Sequence, residues 1–186
     1  MENFGEVIYA GLFLNMMMRS APHIPIANAT ALLHGGCIRK AGGKTFVDAQ
    51  YYAIQLYGDI ASRFAVPCRY QGPGYDIEGG TETAPAVSDV PYLDAAACIS
   101  EDGSELIIYL VNRHLDAELR PKVSLNGFVP EGQAEAVCMT SSDLAAVSSP
   151  LEPERFKPQP CDVVVDGDSL ELVLPPCSLT RIRLAR

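Results

Sequence analysis

From Val90 to the C-terminus, apolar residues recur at every second position, whereas before Phe64 they recur at helical spacing or in unbroken runs. One kind of secondary structure cannot serve both halves, because side chains alternate faces along a strand but return every three to four residues on a helix. In the second half, Pro91 to Ser100 and Glu105 to Asn112 flank Glu101-Asp102-Gly103-Ser104, which has the composition of a hairpin turn. Lys122 to Leu125 alternates into Asn126-Gly127, Ala134 to Met139 supplies another strand, and Ser169 to Leu174 turns Leu170, Leu172 and Leu174 inward. At the end, Thr180, Ile182 and Leu184 alternate with Arg181 and Arg183, which the pattern sends outward. Short strands at this spacing, with no helix among them, predict an antiparallel β-sandwich over residues 90–186. Gln71 to Asp89, rich in Gly, Pro, Thr and Glu, reads as a plain connection within a linking region, 65–89.

Residues 1–64 read differently. Glu6 to Ser20 lacks proline and is apolar around nearly its whole circumference, which predicts a helix buried on most sides. Pro22 and Pro25 stop it, and Ile24 to Leu33 has the small and apolar residues of a strand buried on both faces. Two glycine pairs, Gly35-Gly36 and Gly42-Gly43, bracket a loop with Arg39, Lys40 and Lys44, after which Asp48 is placed to cap a second helix over Ala49 to Arg63. One buried strand cannot satisfy its own backbone, so this helix-strand-helix segment reads as the end of a larger α/β sheet or barrel. Charge and proline divide at the same place. Residues 1–64 carry five Lys+Arg against four Asp+Glu and two prolines, whereas 65–186 carry nine against nineteen and twelve prolines.

Composition removes several classes of function. A net charge of −9 argues against a nucleic-acid surface, which needs clustered cations. The apolar run Val7 to Met18 is too short for a bilayer span and has acidic rather than basic residues before it, so neither a membrane partner nor a secretory signal is expected. The six cysteines form no C-x-x-C pair and read as reduced core thiols of a cytoplasmic protein.

Chemistry-bearing patterns are sparse. His23, His34 and His114 have no metal-ligand partner at helical or hairpin spacing, so no metal and no cofactor is expected. No nucleophile elbow, phosphate loop or dinucleotide fingerprint occurs, and no acid/base carboxylate pair stands out; catalytic residues are therefore not assigned. Position contributes more. In an α/β barrel the ends of the strands and the loops after them face the active site, which nominates Thr30, His34 and the loop from Gly35 to Lys44. His34 is the leading candidate for a hydrogen bond to a polar substrate, with a backbone-satisfied histidine as the equal alternative.

GEVIYAGLFLNMMMRSA (5–21), IPIANATALLHGG (24–36), YYAIQLYGDIAS (51–62), VPYLDAAACISEDGSELIIYLVNRH (90–114), SSDLAAVSSPLEPERFKP (141–158) and LPPCSLTRIRL (174–184) follow one another in an order that resembles the C-terminal portion of glycoside hydrolase family 51 alpha-L-arabinofuranosidases. The resemblance implies the last helix-strand-helix of a (β/α)8 barrel followed by a jelly-roll-like sandwich. It also implies retaining hydrolysis of terminal arabinofuranosyl groups on hemicellulose or pectin side chains by two glutamates about 5 Å apart. Both glutamates belong to earlier barrel strands and lie outside these 186 residues, so the chain alone is expected to be inactive. Ala27-Asn28 keeps the family pattern on the last strand and places Asn28 beside the substrate, but Ala31 stands where the family has a sugar-contacting Gln, and His34 where it has Asn. Either His34 and its loop replace that contact or the substrate differs.

The resemblance further implies an arabinose-containing oligosaccharide or polysaccharide and the rest of the barrel as partners, and the apolar first helix and strand suggest a homo-oligomer. The competing function is a non-catalytic β-sandwich module for carbohydrate binding or protein interaction. Absence of Trp and few aromatics in the second half weigh against a sugar-stacking platform.

Overall fold

The computed structural model describes residues 3–21, 23–24, 26, 37–60, 63–80 and 85–186. Helix α1 (Gly5–Arg19) forms where expected, with Glu6 in its first turn and Arg19 in its last, the arrangement the helix dipole favours. Only one side of it is buried: Val7, Ala10, Gly11, Asn15 and Met18 are covered, whereas Tyr9, Phe13 and Met16 stand exposed on the other. The expected strand from Ile24 to Leu33 lies, apart from Ile24 and Ile26, outside the described residues.

The glycine-bracketed loop contains a hairpin, β1 (Ile38–Ala41) and β2 (Lys44–Val47), because Gly42 and Gly43 both take positive φ, 56° and 76°, as a tight two-residue turn of this hand requires. Helix α2 (Ala49–Leu56) stops well short of Arg63, correcting the longer helix expected. Tyr109 Oη donates to the Leu56 carbonyl at 2.8 Å, the Tyr57 N–H turns back to Ile54 in a tighter bond, and Gly58 then starts a single 3-10 turn, Gly58–Ile60. Arg63 instead opens β3 (Arg63–Val66). The stretch read as a plain connection contains a hairpin with an irregular register, β4 (Gly74–Ile77) and β5 (Val87–Pro91).

Eight strands follow: β6 (Leu93–Ser100), β7 (Glu105–Asn112), β8 (Lys122–Ser124), β9 (Glu135–Thr140), β10 (Gln159–Pro160), β11 (Val163–Asp166), β12 (Ser169–Leu172) and β13 (Ser178–Ala185). Together with β3 they form an antiparallel sheet in the order β10-β9-β13-β7-β6-β3 and a smaller one in the order β11-β12-β8. This is the mainly β, antiparallel sandwich that the two-residue period implies. On one face of the large sheet Ile108, Leu110, Ile182 and Leu184 pack against Leu170, Leu172 and Leu174. On the other, Ile107, Tyr109, Val111 and Leu179 pack against Val7, Ala10, Ala53 and Tyr57 of the helices. Strand β7 is thus apolar along nearly its whole length because both its faces are covered.

Double cover also corrects the reading of Arg181 and Arg183. They lie on the helix side of β13, not in open solvent, with side chains 12% and 30% exposed. Arg181 bonds Asp59 at 3.2 Å and Glu135 at 2.6 Å, and Arg183 bonds Asp59 at 2.5 Å. Asp59 belongs to the 3-10 turn, so these contacts tie the end of α2 to the sheet.

Candidate functional site

Asn15 is the one polar side chain facing inward from the middle of α1, and it is fully buried. Its amide donates to Asp94 Oδ1 of β6 at 2.7 Å, and its carbonyl accepts from Tyr57 Oη, also at 2.7 Å. Arg19, one helical turn on, grips both oxygens of the same Asp94 at 3.1 Å. Burial, and next the neighbouring Tyr109, push the Tyr57 hydroxyl well above the ordinary phenol range, so it stays a donor. A polar group buried in a low-dielectric core is tolerated when every atom is paired, and then it fixes one arrangement of its neighbours. These groups therefore hold α1, α2 and β6 in register. The sequence signal for them is a lone Asn in an otherwise apolar helix.

Asp48 is buried at the start of α2, with the extended backbone of an N-cap, but its carboxylate does not cap the helix. It turns to the Arg39 guanidinium instead, while its N–H bonds the Cys37 carbonyl at 2.8 Å and closes the base of the β1–β2 hairpin. The hairpin is therefore anchored at its base, with Lys40 and Lys44 exposed toward its tip.

Elsewhere among the described residues the polar groups serve structure. A cleft of about 850 Å³ opens between the sheets, lined by Val66, Tyr70, Leu93, Ile108, Lys122 and Phe128 among others, and among the described residues no carboxylate or histidine lines it. Hydrogen bonds from Ser100 and Ser104 lower the exposed Asp102 carboxyl to about 2, which is turn chemistry in the β6–β7 hairpin. Burial pushes the Cys98 and Cys161 thiols to about 11, so neither is an activated nucleophile. Among the described residues, no group of three or more His, Cys, Asp or Glu is placed to hold a metal ion. His114 accepts the Asp116 and Ala117 N–H groups at Nδ1 and orders a turn. The three substrate-proximal candidates, Asn28, Thr30 and His34, lie outside the described residues.

Comparison with known proteins places this architecture. Residues 1–178 match the family model of the alpha-L-arabinofuranosidase C-terminal domain. The chain is 26% identical over 148 residues to the intracellular exo-alpha-(1->5)-L-arabinofuranosidase 1 of Bacillus subtilis (strain 168), covering 78% of this chain and 28% of that protein. A second curated relative, the intracellular exo-alpha-(1->5)-L-arabinofuranosidase of Halalkalibacterium halodurans, is 22% identical over 151 residues, 80% of this chain and 29% of the relative. The chain therefore spans less than a third of either relative's length. In fold it is similar to the alpha-L-arabinofuranosidase of Thermotoga maritima solved with arabinose, with a TM-score of 0.85 and 23% identity over 99% of this chain and 39% of that one. The chain belongs to the alpha-L-arabinofuranosidase C-terminal domain family and corresponds to a C-terminal portion of the glycoside hydrolase family 51 enzymes.

Proposed function

We propose that this chain is the supporting C-terminal part of a retaining arabinofuranosidase-like hydrolase that removes terminal arabinofuranosyl groups from hemicellulose or pectin side chains. In this reading residues 1–64 close the (β/α)8 barrel, 65–89 lead out of it, and 90–186 are the sandwich that buttresses it. The observation that carries the reading is the two-sided character of α1. One side is sunk into the sandwich, and the other presents Tyr9 and Phe13, stacked 6.1 Å apart, with Met16 beyond them. A helix apolar on both sides has a layer to cover each of them, and in a barrel that second layer is the ring of strands.

The two catalytic glutamates then come from barrel strands outside these 186 residues, and the chain alone is inactive. Asn28, Thr30 and His34 take their places at the substrate end of the last barrel strand. The word "intracellular" in the names of both curated relatives supports a cytoplasmic location, and the exposed side of α1 supports a homo-oligomer when the barrel is absent. The alternative, a stand-alone sugar-binding module, has less behind it. Its best aromatic run, Tyr75, Tyr92 and His114, is half-buried, with rings tilted by 31° and 33° rather than laid out as one flat platform.

The test is release of arabinose from an aryl arabinofuranoside by the chain alone and by the chain co-expressed with a family barrel truncated before its last helix-strand-helix. Activity in the mixture but not in the chain is expected. Turnover by the chain alone, abolished by a substitution within it, would overturn the proposal.

A further inference from the structure

Between Glu6 and Asp48 the sequence has no carboxylate at all, a run of 41 residues in a chain that has 23 acids elsewhere or at its edges. The β1–β2 hairpin stands at the end of that run. Its one nearby acid, Asp48, is committed to Arg39. Lys40 and Lys44 are exposed and, among the described residues, have no ion-pair partner. The other two lysines are paired, Lys122 with Glu171 at 3.7 Å and Lys157 with Glu154 at 3.4 Å. Lys40 sits opposite Thr45 and Lys44 opposite Ala41, so the two ammonium groups leave opposite faces of the ribbon and flank its tip. Four paired rungs and a hydrogen-bonded base hold the ribbon together behind both cations.

We infer that this hairpin tip is a recognition surface for a carboxylate-bearing glycan, so that the arabinose-bearing substrate is an acidic, uronate-containing oligosaccharide. The inference rests on the proposed function, in which the hairpin follows the last barrel strand and so stands on the substrate face of the barrel. Two cations that leave opposite faces of the ribbon suit an extended polyanionic chain laid over the tip better than a single compact anion. The acidic remainder of the molecule repels such a chain, whereas the hairpin tip, with two exposed lysines, attracts it.

The experiment is affinity electrophoresis and titration of this 186-residue chain with polygalacturonate, in low salt and in about 0.3 M NaCl. Wild type is expected to bind in low salt and to release in high salt. K40Q/K44Q should weaken binding about fivefold, the effect of two exposed ion contacts. The paired-lysine control K122Q/K157Q should bind as wild type does. Equal binding by K40Q/K44Q, or binding of polyphosphate or duplex DNA as tight as that of polygalacturonate, would overturn the inference. Neutral arabinan, run in parallel with the activity test above, reports on the proposed function separately. Arabinan processing by the reconstituted barrel without any lysine-dependent polygalacturonate binding sinks the hairpin inference alone.

Discussion

The Tyr57 ring lies flat on that of Tyr109, with centroids 3.9 Å apart and planes 11° from parallel. One ring comes from the end of α2 and the other from β7, and both are fully or nearly buried. Each hydroxyl is also used, Tyr109 on the Leu56 carbonyl and Tyr57 on Asn15. Helix layer and sheet are therefore joined by stacking and by hydrogen bonds at the same point.

Removing only the Tyr57 hydroxyl should leave the Asn15 carbonyl oxygen buried without that donor. Tyr57→Phe is expected to lose about 1–3 kcal/mol of unfolding free energy, and Tyr57→Ala about 3–5 kcal/mol through the cavity. Urea denaturation followed by circular dichroism measures both, and a neutral Tyr57→Phe would mean that the hydroxyl contributes nothing.

Gly11 marks the closest approach of α1 to the sheet. A Cβ built there meets Val111 Cγ2 at 3.0 Å and Leu179 Cδ1 at 3.2 Å, and both side chains are fully buried. In an open helix Gly→Ala gains up to about 1 kcal/mol, but overpacking typically costs about 1–3 kcal/mol. Val111 is β-branched and stiff, so Gly11→Ala should be destabilising by about 1 kcal/mol. A raised melting temperature for this variant would show that the helix can back away freely.

Acid should act on the β6–β7 turn through Asp102. Its carboxyl is lowered from 3.8 to about 2 in the folded chain, so the unfolded chain takes up the proton first as the pH falls. Its contribution is full above about pH 4 and is lost as the pH falls toward about 2. Asp102→Asn should flatten this part of the stability curve, and its loss relative to wild type should shrink with acidification. Parallel acid limbs for the two proteins would refute the assignment.

Self-association should follow from the uncovered side of α1. Tyr9, Phe13 and Met16 are 61%, 42% and 44% exposed and adjacent on the helix, an apolar stripe of the kind that drives contact between copies. Light scattering of the chain is expected to give a mass that rises with concentration, and Tyr9→Lys/Phe13→Glu should return it toward the monomer. A wild-type monomer at all concentrations would count against this.

Much of the sandwich was legible in the sequence because alternation of side chains is a local property. The turn at Glu101–Ser104, the inward leucines of β12 and the inward residues of β13 follow from it directly. What covers a face is not local. Alternation separates Arg181 and Arg183 from the inward residues of β13, but only tertiary structure covers their side and brings Asp59 there to receive them. The early end of α2 depends likewise on Tyr109, more than fifty residues away in sequence. The hairpin β4–β5 was hidden by glycine and proline in its flanks, which read as a loop. The active-site reading was legible only through resemblance, because the carboxylates it requires are expected on strands beyond this segment.

Sharing of one sheet between two covering layers bears on how such a segment is inherited. A recombination event that transferred the strands but not the two helices would leave Ile107, Tyr109, Val111 and Leu179 facing water. The smallest portion that can be exchanged between proteins without exposing a core therefore includes both helices, and lineages that shuffle this region should carry them along with the strands.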